Sequence, residues 1–202
     1  MQIIFWLSVG LLIYTTVIYY LLLKVFKQND YHKNDIYSPG ITLIICAHNE
    51  EKCISEKLLN TLEIDYPKEN LQVILADDGS TDKTVEIAKR FDFIEILELS
   101  RRGKTIAQNK AVLKARNEIL VFSDANNIYN KDALQKLARN FADERVGVVC
   151  GELQYSNKIS KENSYWNYEI AIKKVESKNG WLLGANGSIY AVRKNAFVPL
   201  PE

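Results

Sequence analysis

Hydrophobic and polar positions fall in blocks along this chain, and the period within each block differs. The stretch from Ile3 to Leu23 carries no charge. At about 1.5 Å per residue a helix of that length crosses a hydrocarbon layer roughly 30 Å thick, so residues 1–25 are expected to form a transmembrane anchor. A cleaved leader would carry a positive charge before the apolar run and small residues after it. This run starts at Met1-Gln2 and ends at Tyr19-Tyr20-Leu21-Leu22-Leu23. Residues 26–39 then turn polar and close on Ser38-Pro39-Gly40, the composition of a linker.

Beyond the linker, residues 40–202 alternate short apolar runs with amphipathic stretches. Strands are predicted over Ile41–Cys46, Leu71–Ala76, Ile94–Leu97, Ile119–Phe122, Gly147–Gly151 and Ser188–Val192. Helices are predicted over Glu50–Leu62, Thr81–Phe91, Lys104–Arg116, a stretch after Asn130, and Glu162–Ser177. Ile54, Leu58 and Leu62 recur at helical spacing on one side of the first, as do Leu134, Leu137, Ala138 and Phe141 in the fourth. The alternation predicts an α/β fold, a mostly parallel sheet flanked by helices and preceded by one transmembrane helix.

Composition narrows the function classes. A length of 202 residues, 47% hydrophobic and 25% charged, suits one globular domain with a short extra segment. With 26 basic against 25 acidic residues the net charge is +1, which gives no global field for nucleic acid, and none is expected as a partner. Cys46, Cys53 and Cys150 form no CxxC pair and are expected as reduced core residues. Neither His32 nor His48 stands at zinc-ligand spacing from them. Lys24, Lys27 and Lys33 follow the apolar helix and none precedes it, which places the rest of the chain in the cytoplasm.

In an open parallel sheet the ligand crevice lies beyond the carboxyl ends of the strands. Three such ends are polar: Ala47-His48-Asn49-Glu50, Asp77-Asp78-Gly79-Ser80-Thr81-Asp82, and Ser123-Asp124-Ala125-Asn126-Asn127. The second has two readings, a tight turn with a helix cap, or an aspartate accepting hydrogen bonds from a nucleobase imide or ribose hydroxyl. Asp124 and Asn126 share that ambiguity, as a helix start or as two oxygen ligands for a hard divalent ion on a diphosphate. Their convergence on one rim favours the ligand readings.

With these residues the chain resembles the family 2 glycosyltransferases of GT-A fold. Ala47 to Glu50, Ala76 to Asp82, Arg102-Gly103-Lys104 with Asn109, and Ser123 to Asn126 carry the resemblance. So do Val146 to Val149 with Gly151, Tyr168-Glu169, Glu176-Ser177, and Gly184-Ala185-Asn186-Gly187. It covers nearly everything from Ile41 onward and is nearest to the membrane-bound, polysaccharide-synthase-like subgroup. The resemblance implies transfer of a sugar, with inversion, from a nucleotide-sugar donor, expected to be a UDP-sugar, to a glycan or lipid-linked acceptor at the cell membrane. It implies that Asn49, Glu50 and Asp78 belong to the donor site and that Asp124 meets the diphosphate and the metal. Asn126 stands where the family usually has a second carboxylate, so Mg²⁺ or Mn²⁺ would be held by Asp124 and Asn126 with less charge. Lys104 would face the diphosphate or ribose, or is a solvated lysine at a helix start. Gly184, Ala185, Asn186 and Gly187 would line the donor sugar and acceptor, or form a β-turn. Trp166 is expected as a core anchor, and Glu169 with Lys173 as an acceptor-groove pair or a surface ion pair.

The family's base is an aspartate some tens of residues beyond the Gly-Ala-Asn-Gly loop. The sequence ends at Pro199-Leu200-Pro201-Glu202, so the expectation is a chain that stops before its base, with Glu152, Glu176 and Glu202 given no such role. Weak donor binding and poor transfer follow from that. A nucleotidyltransferase would need a glycine-rich phosphate loop after the first strand, where this chain has Ala-His-Asn-Glu. The other rival is a noncatalytic, membrane-tethered relative that keeps the fold and binds nucleotide-sugars.

Overall fold

Ile41–Ala47 (β1) is buried at every position, as an unbroken apolar run must be when helices cover both sides of a sheet. In the computed structural model β1 lies between β2 (Leu71–Asp78) and β4 (Ile119–Asp124), parallel to both. The sheet order is β3-β2-β1-β4-β6-β5, with β3 (Glu95–Leu99) parallel to β2. β6 (Ile189–Arg193) runs antiparallel to β4 and to β5 (Val148–Cys150). The predicted α/β sheet is therefore present, with a reversed strand in its second half. The structure describes residues 1–26, 29–152, 162–182, 184 and 188–201, and for 162–167 the backbone only.

Side chains alternate across the sheet with the period of a strand. Leu43 and Ile45 of β1 pack with Ile54 and Leu58 of α3 (Ile54–Leu62) and with Leu134, Leu137 and Ala138 of α6 (Ala133–Ala138). Ile44 and Cys46 face the other way, against Ala107, Ala111 and Val112 of α5 (Lys104–Lys114). Each large aliphatic side chain so buried contributes about 1.5–3 kcal/mol. α4 (Thr84–Ala88) is shorter than predicted at both ends: Asp82 takes the backbone N–H of Thr84 at 3.0 Å before it, and after it the Arg90 and Phe91 N–H groups close tighter turns on the Ile87 and Ala88 carbonyls.

The buried face of α3 departs from the periodicity. Leu62 is 43% exposed, whereas Lys57 and Thr61 are buried. The stripe is thus 54-57-58-61, and a lysine occupies a core position that apolar periodicity could not assign to it. Cys46 is buried as expected, but Cys53 and Cys150 are half-buried, at the margins of the core; all three are free thiols.

Two compact units divide the chain, Met1–Asp30 with Gln154–Gly184 and Tyr31–Leu153 with Ala185–Glu202. The second holds the sheet. In the first, α1 (Gln2–Ile13) continues through a π-helical turn, Tyr14–Ile18, into α2 (Tyr19–Val25). Thr15 and Thr16 sit in that turn and donate to the carbonyls of Leu11 and Leu12 at 3.0 and 2.6 Å, competing with the helical ladder. The continuous helix Gln2–Val25 is long and apolar enough to cross a membrane. α7 (Glu162–Asn179) packs on α2: Tyr19 Oη donates to Glu176 at 2.6 Å, and Asn179 Nδ2 donates to the Leu23 carbonyl at 2.9 Å. Glu169 and Lys173 form an ion pair at 2.5 Å, one helical turn apart.

Candidate functional site

Parallel register brings the three polar strand ends level. Ala47 of β1 pairs with Asp77 of β2, and Cys46 pairs with Asp124 of β4. The first two turns are fastened to each other. Asn49 adopts φ 55°; its N–H donates to Ser80 Oγ at 2.9 Å, and its side-chain oxygen takes the Thr81 N–H at 2.8 Å. His48 Nδ1 donates to the Asp78 carbonyl at 2.9 Å, and its Nε2 lies 3.2 Å from the Asn49 amide nitrogen. Glu50 N–H donates to Thr84 Oγ1 at 2.7 Å, and Glu51 N–H to Asp82 Oδ2 at 3.1 Å.

Asp78 is 5% exposed. Its carboxylate takes the Arg102 N–H at 2.8 Å and the Gly103 N–H at 3.0 Å, tying the loop before α5 to the end of β2. Gly79 permits that approach. It holds φ +67°, and a Cβ there would stand 2.6 Å from the Arg101 nitrogen. The Glu50 carboxylate accepts from Cys53 Sγ at 2.9 Å. Desolvation, then this hydrogen bond, push the Cys53 thiol up to about 11, so it stays protonated near neutral pH. Burial pushes the Cys46 thiol up to about 12 against the pull of Lys104, so it stays protonated near neutral pH.

At the third strand end, Lys104, the first residue of α5, ion-pairs with Asp124 across the crevice. Its side chain stays half exposed, so the lysine is solvated at the helix start and paired with Asp124 at once. Asn126 is exposed. Among the described residues no three His, Cys, Asp or Glu side chains form a metal-binding group. One carboxylate and one amide oxygen, both hard donors, nevertheless fit a divalent ion whose remaining ligands come from a diphosphate and water.

The sequence reading did not identify what lies under this turn. Lys57 is fully buried, and its Nζ donates to the Asn127 carbonyl at 2.6 Å and lies 3.4 Å from the centre of the Tyr129 ring. One turn along α3, Asn60 gives its amide to the Tyr129 carbonyl at 2.9 Å and takes the Tyr129 N–H at 2.8 Å. Tyr129 Oη and Asn127 Nδ2 reach the Ser188 carbonyl at 3.2 and 3.4 Å. Asn109 does not face this crevice; its side chain holds both backbone groups of Leu200, at 2.8 and 3.0 Å. Gly184 is exposed and belongs to the first unit. Ala185, Asn186 and Gly187, the Trp166 side chain and Glu202 lie outside the described residues.

The family model described as glycosyl transferase family 2 matches residues 42–197, most of the chain. This chain belongs to that family. Poly-beta-1,6-N-acetyl-D-glucosamine synthase of Staphylococcus aureus is 30% identical over 169 residues, 79% of this chain and 40% of that protein. Beta-monoglucosyldiacylglycerol synthase of Nostoc is 30% identical over 181 residues, 85% of this chain and 38% of that protein. The chain thus spans about two fifths of the length of these curated relatives. Among solved structures, the mannosyltransferase PcManGT of Pyrobaculum calidifontis, in complex with GDP-Man and Mn²⁺, superposes with a TM-score of 0.75 at 29% identity. That match covers 88% of this chain and 52% of the other. TarS of S. aureus in complex with UDP-GlcNAc gives a TM-score of 0.53 at 26% identity, over 59% of this chain and 36% of that one. The fold is GT-A, and the family is one of glycosyltransferases that use nucleotide-sugar donors.

Proposed function

We propose that the crevice between Asn49, Glu50, Asp78, Lys104 and Asp124 binds a UDP-sugar, and that the enzyme transfers the sugar with inversion to a glycan or lipid-linked acceptor at the membrane. The observation that carries this reading is the Lys104–Asp124 pair spanning the rim where three strand ends meet. A cation and a carboxylate that neutralise each other in the free protein can separate, one to a phosphate and one to a divalent ion. That ion, Mg²⁺ or Mn²⁺ on Asp124 and Asn126, would neutralise the charge of the departing nucleoside diphosphate. The buried Asp78 carboxylate already accepts N–H groups, and a nucleobase imide presents the same donor. The Gly184–Gly187 loop is proposed to meet the donor sugar and the acceptor. The helix Gln2–Val25 is proposed to anchor the protein, with the lysines that follow it on the cytoplasmic side. The names of the relatives agree with a sugar polymer or a glycolipid as product.

Calorimetric titration of the full chain in detergent micelles tests the donor site. UDP, UDP-GlcNAc and GDP are titrated with and without Mn²⁺, on the wild type and on Asp124→Asn. UDP is expected to bind several-fold more tightly with Mn²⁺, and Asp124→Asn to lose that gain. Absence of UDP binding under every condition sinks the proposal, and preference for GDP would replace the nucleotide assigned.

A further inference from the structure

A lysine buried without an ion-pair partner is costly, since the ammonium loses its hydration and gains only what its neighbours return. Among the described residues Lys57 is such a residue. It is fully buried, and its near partners are a carbonyl oxygen and an aromatic face, both neutral. A methionine or leucine would fill the same space beside Tyr129 at no electrostatic cost, so packing alone does not account for the charge. What the charge does is local. It fixes the carbonyl of Asn127, one residue past Asn126, and stands close enough to Asp124 for that carboxylate to favour its charged form. Desolvation dominates all the same and pulls its pKa down to about 7.

The turn above it has few other constraints. Asn126 is exposed, and the backbone from Asn127 to Tyr129 is held by Lys57 and Asn60 from α3 and by the contacts to Ser188. Lys57 and Asn60 lie three residues apart on one helix face and grip consecutive parts of the same segment. We infer that Lys57 is a positioning residue, which holds the Asp124–Tyr129 turn in the shape that presents Asp124 and Asn126 to a divalent ion bridging a nucleoside diphosphate. The inference rests on the donor-site proposal and assigns its metal half a support on α3, separate from the Asn49–Asp78 end of the crevice.

The test compares Lys57→Met and Asn60→Ala with wild type, using the full chain in micelles. UDP affinity is measured with and without Mn²⁺, and amide exchange of residues 124–129 is followed in ligand-free protein. Both variants are expected to keep the metal-free affinity and to lose most of the several-fold gain from Mn²⁺, since each removes hydrogen bonds that hold the turn. Exchange over 124–129 is expected to rise in both. A general folding defect would lower metal-free affinity as well, and that result overturns the inference, as does a Lys57→Met protein that keeps the full Mn²⁺ gain. Asn60→Ala leaves the charge in place, so loss of the gain there shows that turn geometry is the operative factor. A wild type that gains nothing from Mn²⁺ instead overturns the donor-site proposal itself.

Discussion

Replacing Gly79 separates two reasons for a glycine. The residue has φ +67°, where a side chain costs about 1 kcal/mol by backbone strain alone. A Cβ there would also stand 2.6 Å from the nitrogen and 3.1 Å from the Cα of Arg101. Backbone cannot rotate away as a side-chain tip can, so the 101–103 loop must move. That movement pulls the Arg102 and Gly103 N–H groups off Asp78, which accepts them at 2.8 and 3.0 Å while 5% exposed. Each hydrogen bond to a buried carboxylate is worth about 1.5–3 kcal/mol. Gly79→Ala should therefore cost about 3 kcal/mol if one bond is lost, and more if both are. Gly79→Asn is the discriminating variant, because asparagine tolerates the left-handed region but keeps the Cβ. Strain alone predicts near-normal stability for it; the collision predicts a cost of about 2 kcal/mol or more. All three tryptophans, Trp6, Trp166 and Trp181, belong to the first unit, so fluorescence is a poor monitor of the sheet. Amide exchange of β2 by mass spectrometry is the suitable assay, where 3 kcal/mol appears as roughly a hundredfold faster opening. Wild-type exchange of β2 in Gly79→Asn would refute the close-approach argument.

Two stability effects follow from buried polar groups. Lys57 has its pKa pulled from 10.5 to about 7 in the fold. Between those values the unfolded chain binds the extra proton, so stability rises with pH from about 7 towards 10.5, and below about 7 the penalty is complete. Between pH 7.5 and 8.5 the contribution should approach about 1.4 kcal/mol per pH unit, measured as the difference in urea unfolding between wild type and Lys57→Met; equal slopes for the two proteins would show that Lys57 is not desolvated. Tyr66 is 4% exposed, and its hydroxyl donates to the Pro39 carbonyl at 2.5 Å, fastening the entry to β1. Tyr66→Phe leaves that carbonyl without its donor and should cost about 1–2 kcal/mol in thermal unfolding, and no change in melting would place the carbonyl in contact with water.

The strands were legible because burial on both faces leaves a contiguous apolar signature. Ile41–Cys46 and Ile119–Phe122 were found to within two residues of their observed ends. Helix faces were less so, since α3 turns a lysine inward and Leu62 outward, and periodicity counts a lysine as polar wherever it points. The polar turns were legible as composition but not as a network. Asp78 and the Arg102-Gly103 amides are separated by more than twenty residues of sequence, and only the pairing of β2 with β3 brings them together.

That network changes how the proposed donor-site residues should be probed. Asn49 and Asp78 spend their side-chain oxygens on neighbouring backbone, and Glu50 accepts from the Cys53 thiol. Their removal would loosen the crevice as well as delete a ligand contact, so a loss of binding in those variants has two explanations. Lys104 and Asn126 are different. The Lys104 side chain meets Asp124 and secures no backbone, and Asn126 is exposed on the turn. Asn126→Ala leaves the three turns fastened as they are, so a change in affinity there speaks for the ligand; Lys104→Ala also strips Asp124 of its counter-charge, so it is read beside Asp124→Asn.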